Sequence, residues 1–371
     1  MLEQSKNRLL RLSFFSENWR GKIEMIVSWF RILTFSLILT AFLPVLSGGP
    51  FAVSLAMADE AEDFRLKGNE AYEAGIYEEA LRWYRMAAGR GNVDAQYQLG
   101  YMYTFGKGVP KDAPEAIHWY RMAAEQGNAA AKINLGVMYQ NGLGIPKDDA
   151  EAVRWYRMAS GAPLAQYNLA RMYENGWGVP KDEAEAARWY RKAAEWGYAD
   201  AQRALGVMYR NGYGILKDDA EAAHWYRKAA EQGDARAQTY LGNMYVNGMG
   251  VIKNEAEAVR WYSKAAEQGS ALGQNALAWR LATSANSSIK NSPEAVQWAE
   301  QAVQSEDIGY YRDTLAAAYA AAGRFSDAVR EQKKAISQAK AEGNYKSDYE
   351  DRLRLYQSGK ALFCPGGPGC E

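Results

Sequence analysis

AQYQLGYMYTFGKGVPKDAPEAIHWYRMAAEQG, residues 95–127, sets the architecture of this chain, because its pattern recurs four more times. An Ala-x-x-x-Leu motif opens every copy, and the copies follow one another at spacings of 36, 34, 36 and 36 residues. Repetition at such a period is typical of arrays built from one supersecondary unit. The copies begin at Ala95, Ala131, Ala165, Ala201 and Ala237.

Each copy predicts a pair of helices. Ala95, Leu99 and Tyr103 lie at helical spacing and predict a first helix, which the following glycines end. Asp112 stands three residues before Glu115, the spacing of a capping box, in which each side chain accepts a hydrogen bond from the other residue's backbone N–H. A second helix is therefore expected to start there.

Tryptophan recurs at one position of the predicted second helices, on their apolar stripe. Six of the twelve tryptophans share it, so we expect these six to be core residues rather than parts of a cofactor or glycan site. They are Trp83, Trp119, Trp155, Trp189, Trp225 and Trp261.

One such hairpin cannot bury both of its apolar faces, so the copies are expected to stack into a solenoid. The pattern over residues 95–272 resembles the Sel-1-like repeat, a subclass of tetratricopeptide-like helix hairpins. Residues 59–94 and 273–343 resemble the parent tetratricopeptide repeat, residues 344–360 are predicted to form a capping helix, and residues 361–371 a flexible tail. The resemblance implies an all-α fold, a right-handed α-solenoid (superhelix) of stacked helix hairpins.

The numbers of charged residues, cysteines and histidines argue against several classes of function. Lys plus Arg and Asp plus Glu both total 44, so no basic excess is present to hold nucleic acid. Only two cysteines and two histidines occur in 371 residues, which argues against a metal site or a thiol or histidine catalyst. His118 and His224 occupy a position held by arginine in other copies and are expected to face solvent. We therefore predict no enzyme activity, no cofactor and no metal.

Two other functions stay open at this stage. Ser287-x-x-Lys290 and Ser337-x-x-Lys340 fit the S-x-x-K pattern of penicillin-recognising enzymes, and some cysteine-rich relatives of the repeat family are associated with β-lactam binding. The accompanying S-D-N and K-T-G elements and the repeat cysteines are absent from this sequence. The alternatives are a β-lactam-binding hydrolase of that type and a cell-wall glycan receptor.

The side of the first helices opposite their buried stripe predicts a binding surface. In the resembled superhelix, the third, seventh and tenth positions of each copy would line the concave groove. Here they mix Tyr, Ile, Val and Arg, types enriched at binding hot spots, rather than Lys and Glu. The competing interpretation is packing against neighbouring helices. The candidate residues for an unknown protein or peptide partner are Tyr97, Tyr101, Tyr167, Arg171, Arg203 and Arg210.

The N-terminus predicts export. No charged residue lies between Ile32 and Ala58, basic residues precede this run, and it ends in an A-x-A pattern. We expect residues 1–58 to be a signal peptide cleaved after Ala58, with Met1 or Met25 as the start, and a periplasmic or secreted protein. The alternative is an uncleaved inner-membrane anchor with the repeats facing the periplasm. In an oxidising compartment, Cys364 and Cys370 are close enough in sequence to pair as a disulfide.

Overall fold

A computed structural model describes residues 50–362 of the chain, with side chains from residue 57 onwards. The predicted signal-peptide core and the two cysteines lie outside these residues. Within 50–362 the chain forms seventeen α-helices and no β-strand. None of these helices is long and apolar enough to cross a membrane.

The chain divides into two compact units, whose described parts are residues 50–128 and 129–362. The first unit holds α1 (Pro50–Glu73), α2 (Tyr77–Ala88), α3 (Val93–Phe105) and α4 (Ala113–Glu125). The predicted cleavage position after Ala58 falls within α1.

Thirteen helices make up the described part of the second unit. The hairpins run from α5 to α16, and α17 follows them as the predicted terminal helix. The helices are α5 (Ala129–Asn141), α6 (Asp149–Met158), α7 (Pro163–Asn175), α8 (Glu183–Glu195), α9 (Ala199–Asn211), α10 (Asp219–Glu231), α11 (Ala235–Asn247), α12 (Glu255–Glu267), α13 (Ala271–Thr283), α14 (Ser292–Ser305), α15 (Gly309–Ala321), α16 (Phe325–Glu342) and α17 (Asp348–Gln357).

The six hairpins from α1–α2 to α11–α12 each close around a buried tyrosine of the second helix. In the α9–α10 hairpin the Tyr226 side chain is 1% exposed, and Leu205 and Met208 of α9 are fully buried or nearly so. A Cβ at Gly206 would lie 2.6 Å from the Tyr226 ring, so the glycine lets the two helices approach each other. Gly100, Gly136 and Gly242 make the same approach to their own tyrosines.

The tryptophan prediction is wrong for five of the six residues. Only Trp225 is buried, at 8% exposed, and the other five are half-buried. The residue after each tryptophan is the core tyrosine. Several of them instead lie at the junction with preceding helices: Trp189 packs against the core of α5, α6 and α7, and Trp225 belongs to the core of α8 and α9. Four of the six rings carry a lysine, with the Lys192 ammonium 4.0 Å from the Trp189 ring centre.

The capping prediction is half right. The Asp112 carboxylate accepts from the Glu115 N–H at 3.0 Å, and the same bond recurs in all five predicted copies at 2.9–3.1 Å. The reciprocal bond does not form, because the Asp112 N–H donates to the Tyr103 carbonyl at 3.0 Å. The Glu115 carboxylate accepts from Trp119 Nε1 instead. The second helix is thereby tied to the end of the first.

The terminal helix α17 covers the last hairpin. Tyr356 is 1% exposed and belongs to the core of α12–α16. Arg352 Nε donates to Asp313 Oδ1 of α15 at 2.8 Å, and both side chains are almost fully buried. Breaking one partner of such a buried pair is costly, so this pair fixes α17 against α15.

Candidate binding surface

Arg171 is the best-formed feature among the predicted binding residues. Its guanidinium lies 6.0 Å from the Tyr167 ring centre and 5.7 Å from the Trp177 ring centre, within cation–π range of both. No carboxylate of residues 50–362 forms an ion pair with it. A cavity of about 310 Å³ opens beside it, lined by residues of α5, α6 and α7 and the loops after α5 and α7. An arginine held by rings but lacking an ionic partner can bind a carboxylate or a carbonyl.

Tyr167 stands at the centre of an aromatic group. Its ring lies 5.7 Å from that of Tyr190 and 5.2 Å from that of Tyr198. Burial raises the pKa of Tyr167 above its ordinary value, so the hydroxyl is a neutral donor at physiological pH. The side chain stays half-buried.

Arg203 is engaged within the repeat array. It forms ion pairs with Asp200 and, at 2.9 Å, with Asp234 of the next copy, and its side chain is 17% exposed. Burial opposes the charged form, but the hydrogen bonds with Asp234 and Asp200 outweigh it and raise the pKa of Arg203. Its guanidinium joins two successive copies.

Arg210 faces a second cavity, of about 280 Å³, which we call the C-terminal cleft. First helices α9, α11, α13 and α15 supply one side of this cleft, and the segment from Lys346 to Arg352 supplies the other. The sequence analysis did not select residues of this terminal segment, because the other candidates were chosen by their position in the repeat and α17 lies outside the repeat.

Tyr97 and Tyr101 belong to the first unit. Tyr97 packs on Tyr120 of its own hairpin with ring centres 5.8 Å apart. Tyr101 packs on Phe105 at 4.4 Å and on Tyr72 at 6.5 Å. Phe105 is 50% exposed, so the Tyr101 pair forms an aromatic surface on this unit.

Some residues near these candidates form hydrogen bonds within their own hairpins. Gln140 accepts from the Tyr156 hydroxyl at 2.9 Å, and Glu174 accepts from the Tyr190 hydroxyl at 2.6 Å. Burial raises the pKa of Tyr156 and Tyr190 strongly. In these two copies the tenth position thus satisfies the buried tyrosine, whereas in the last copy Asn243, at the seventh position, accepts from Tyr262.

The other reactive residues are dispersed. His118 and His224 are exposed, as predicted, and each packs edge-on against the tryptophan that follows it. Ser287 and Ser337 are also exposed. Over the part of the chain that the structure describes, no three His, Cys, Asp or Glu side chains group so as to hold a metal ion.

Stacked hairpins of one recurring pattern define this chain as a helical-repeat protein of the interaction-scaffold class. A family model described as Sel1 repeat matches seven segments, which together make up more than half of the sequence. The chain belongs to the Sel1 repeat family, whose members typically mediate protein–protein interaction and are generally non-catalytic scaffolds. The segments are 70–92, 93–128, 129–161, 163–198, 199–234, 235–270 and 271–307.

Solved structures confirm the predicted family and solenoid fold. A protective antigen of uropathogenic Escherichia coli with an SLR fold is 30% identical, with a TM-score of 0.54, over 81% of this chain and 73% of that one. A Sel1 repeat protein from Oxalobacter formigenes is 36% identical, with a TM-score of 0.59, over 64% of this chain and 98% of that one. No curated protein matches the chain. The family match extends the repeat to segments on both sides of the five copies predicted from sequence.

Proposed function

We propose that this protein is an exported, non-catalytic scaffold that binds a protein or peptide partner on its first helices. The observation that carries the proposal is Arg171, whose guanidinium is oriented by two aromatic rings at the edge of a cavity and has no ionic partner among residues 50–362. Arginine and aromatic side chains that are already ordered lose little entropy on binding.

Each unit has a candidate surface of its own. Tyr167, Arg171 and Arg210 are the candidate residues on the second unit, and Tyr97 and Tyr101 are those on the first. Arg203 contributes by holding successive copies together, since both of its carboxylate partners are within the array. The partner is expected to place an acceptor against Arg171 and apolar groups against Tyr167.

The test is photocrosslinking in the native cell envelope. A photoreactive residue replaces Arg171 in one variant and Tyr101 in another, and a third variant carries it at His224, which is exposed on α10. We expect a discrete protein adduct from Arg171 or Tyr101 and none from His224. Adducts of equal yield at all three positions, or none at any, would contradict the proposal.

The same envelope fractions test export. The signal pattern predicts a mature chain that begins at Asp59, which mass spectrometry of the purified protein measures directly. A full-length chain that stays in the inner membrane supports the anchored alternative. A full-length chain in the cytosolic fraction contradicts both.

A further inference from the structure

The C-terminal cleft combines positive charge with aromatic walls. Four cationic side chains line it, against two carboxylates. Trp279, Tyr310 and Tyr349 supply rings, and Tyr310 is 53% exposed. At about 280 Å³ the cleft accommodates one or two side chains rather than a large cofactor. The four cations are Arg210, Arg280, Lys346 and Arg352.

The two carboxylates of the cleft both pair with Arg352. Asp313 accepts from Arg352 Nε and from Gln332 Nε2, both at 2.8 Å, and Asp348 accepts from Arg352 Nη1 at 2.7 Å. Arg352 is therefore neutralised by two partners, and its guanidinium also lies 4.8 Å from the Tyr349 ring centre. These contacts hold the wall of the cleft in place. Four cationic side chains against two carboxylates leave the lining with a net charge of +2.

The other three cations keep most of their binding capacity. Arg280 has one ion-pair partner, Glu255, at 3.7 Å. Arg210 interacts with the Tyr226 hydroxyl, and neither Arg210 nor Lys346 forms an ion pair within the described residues. Cations gathered at one cavity without matching carboxylates repel one another, so an anionic ligand is stabilised there.

Amide groups complete a site suited to a peptide. Asn243 Oδ1 accepts from the Tyr262 hydroxyl at 2.6 Å, which orients its Nδ2 group as a donor at the cleft. Asn247 is exposed at the same edge. Side-chain amides can pair with both the N–H and the C=O groups of an extended peptide.

We propose that the C-terminal cleft binds an acidic, aromatic-containing peptide segment of the partner protein. This inference rests on the proposed function and assigns a chemistry to the partner. A carboxylate of the segment lies among Arg210, Arg280 and Lys346, and a neighbouring apolar or aromatic side chain lies against Trp279 and Tyr310. A long nucleic acid is disfavoured, because the chain as a whole has equal numbers of basic and acidic residues.

The experiment selects peptides on the full-length protein from a random twelve-residue phage library. The test variant is R210E/K346E. The matched control is R154E/R188E, which reverses two charges on second helices, where both arginine side chains are 74% exposed and form only an i,i+3 ion pair. We expect the wild type and the control to enrich peptides rich in Asp, Glu and aromatic residues, and the test variant to lose this enrichment.

A fluorescein-labelled copy of the most enriched peptide then measures affinity by anisotropy. We expect the dissociation constant to rise at least about tenfold in R210E/K346E and to change less than about twofold in the control. Affinity should also fall as salt increases. K346E alone, at an exposed loop position, repeats the measurement if the double variant loses its helical circular dichroism spectrum.

The outcomes separate this inference from the proposed function. Enriched peptides that are neutral or basic, or acidic peptides that bind R210E/K346E as well as wild type, would overturn the cleft assignment. A crosslink at Arg171 would in that case still support partner binding elsewhere on the first helices. Failure to enrich any peptide also counts against the cleft, and absence of crosslinks at both sites counts against the proposed function. If a single-stranded DNA oligonucleotide binds wild type but not R210E/K346E, the ligand of the cleft is a nucleic acid rather than a peptide.

Discussion

Replacing Gly250 by alanine should uncouple two neighbouring copies of the repeat. Both Gly248 and Gly250 have left-handed backbone, with φ of +69° and +65°. A Cβ at residue 248 would have Lys253 as its nearest neighbour, with the Lys253 Cβ at 3.3 Å and its backbone N at 3.7 Å. A Cβ at residue 250 would lie 2.6 Å from the Ala220 backbone N and closer still to the Asp219 carbonyl, at the start of the second helix of the preceding copy.

The magnitudes follow from these two geometries. A left-handed backbone costs a residue with a Cβ about 1–2 kcal/mol, part of which is offset because alanine reduces the entropy of the unfolded chain. G248A is therefore expected to destabilise by about 1 kcal/mol. G250A adds an overpacking cost of about 1–3 kcal/mol, since the backbone at the start of α10 must move to admit the new Cβ.

Urea denaturation followed by circular dichroism measures both variants, and hydrogen exchange locates the damage. We expect G250A to lose more stability than G248A and to lose amide protection across the junction of α10 with α11 and α12. Equal losses in the two variants would refute the reasoning, because the neighbouring copy would then play no part. Gly214, which approaches Glu183 in the same way, and Gly212, which does not, provide a second matched pair.

Two further predictions concern the array and its acid sensitivity. W225A should lower the free energy of unfolding by about 3 kcal/mol, because this ring is buried in the core of the preceding copy. W196A removes a residue that is 71% exposed and should change that free energy by less than about 0.5 kcal/mol. Similar losses in the two variants would contradict the junction role of Trp225. Burial alone would raise the pKa of Glu331, but hydrogen bonds from Lys334, Arg330 and Arg312 outweigh it and lower that pKa below the ordinary 4.5. Glu331 therefore stabilises the fold above about pH 4.5 and loses this effect as pH falls through its lowered pKa. The difference in Tm between wild type and E331Q should be present near pH 7 and shrink near pH 3. A difference in Tm that stays constant with pH would contradict the assignment.

Asp234 both caps a helix and forms an ion pair with the preceding copy of the repeat. Its carboxylate accepts from the Ala237 N–H and so caps α11, and its other oxygen binds Arg203 of the preceding copy. The cap is a local signal that sequence reasoning can detect. The ion pair joins residues 31 positions apart, and it is the reason that Arg203 is less available to a partner than its position on the first helix predicted.

The adjacent tryptophan and tyrosine that six of the second helices share show where pattern reasoning reaches its limit. The two residues are adjacent, so both fall within the apolar stripe that the sequence predicts. Tyr226 points into its own hairpin, and Trp225 points to the preceding copy. The choice between these directions depends on how one hairpin rotates against the next, and helical periodicity alone contains no information on that rotation.

The sequence by itself determined the helices, their caps, the glycine turns and the family, because these depend on residues within a few positions of one another and on a pattern repeated many times. Only the tertiary structure decided which candidate side chains remain available and where a cleft forms. The Arg352–Asp313 pair spans 39 residues, and it brings a terminal segment outside the repeat pattern against the first helices. Contacts of that separation depend on the summed geometry of successive hairpins, so Lys346, Tyr349 and Arg352 emerge as site residues only when the chain is folded.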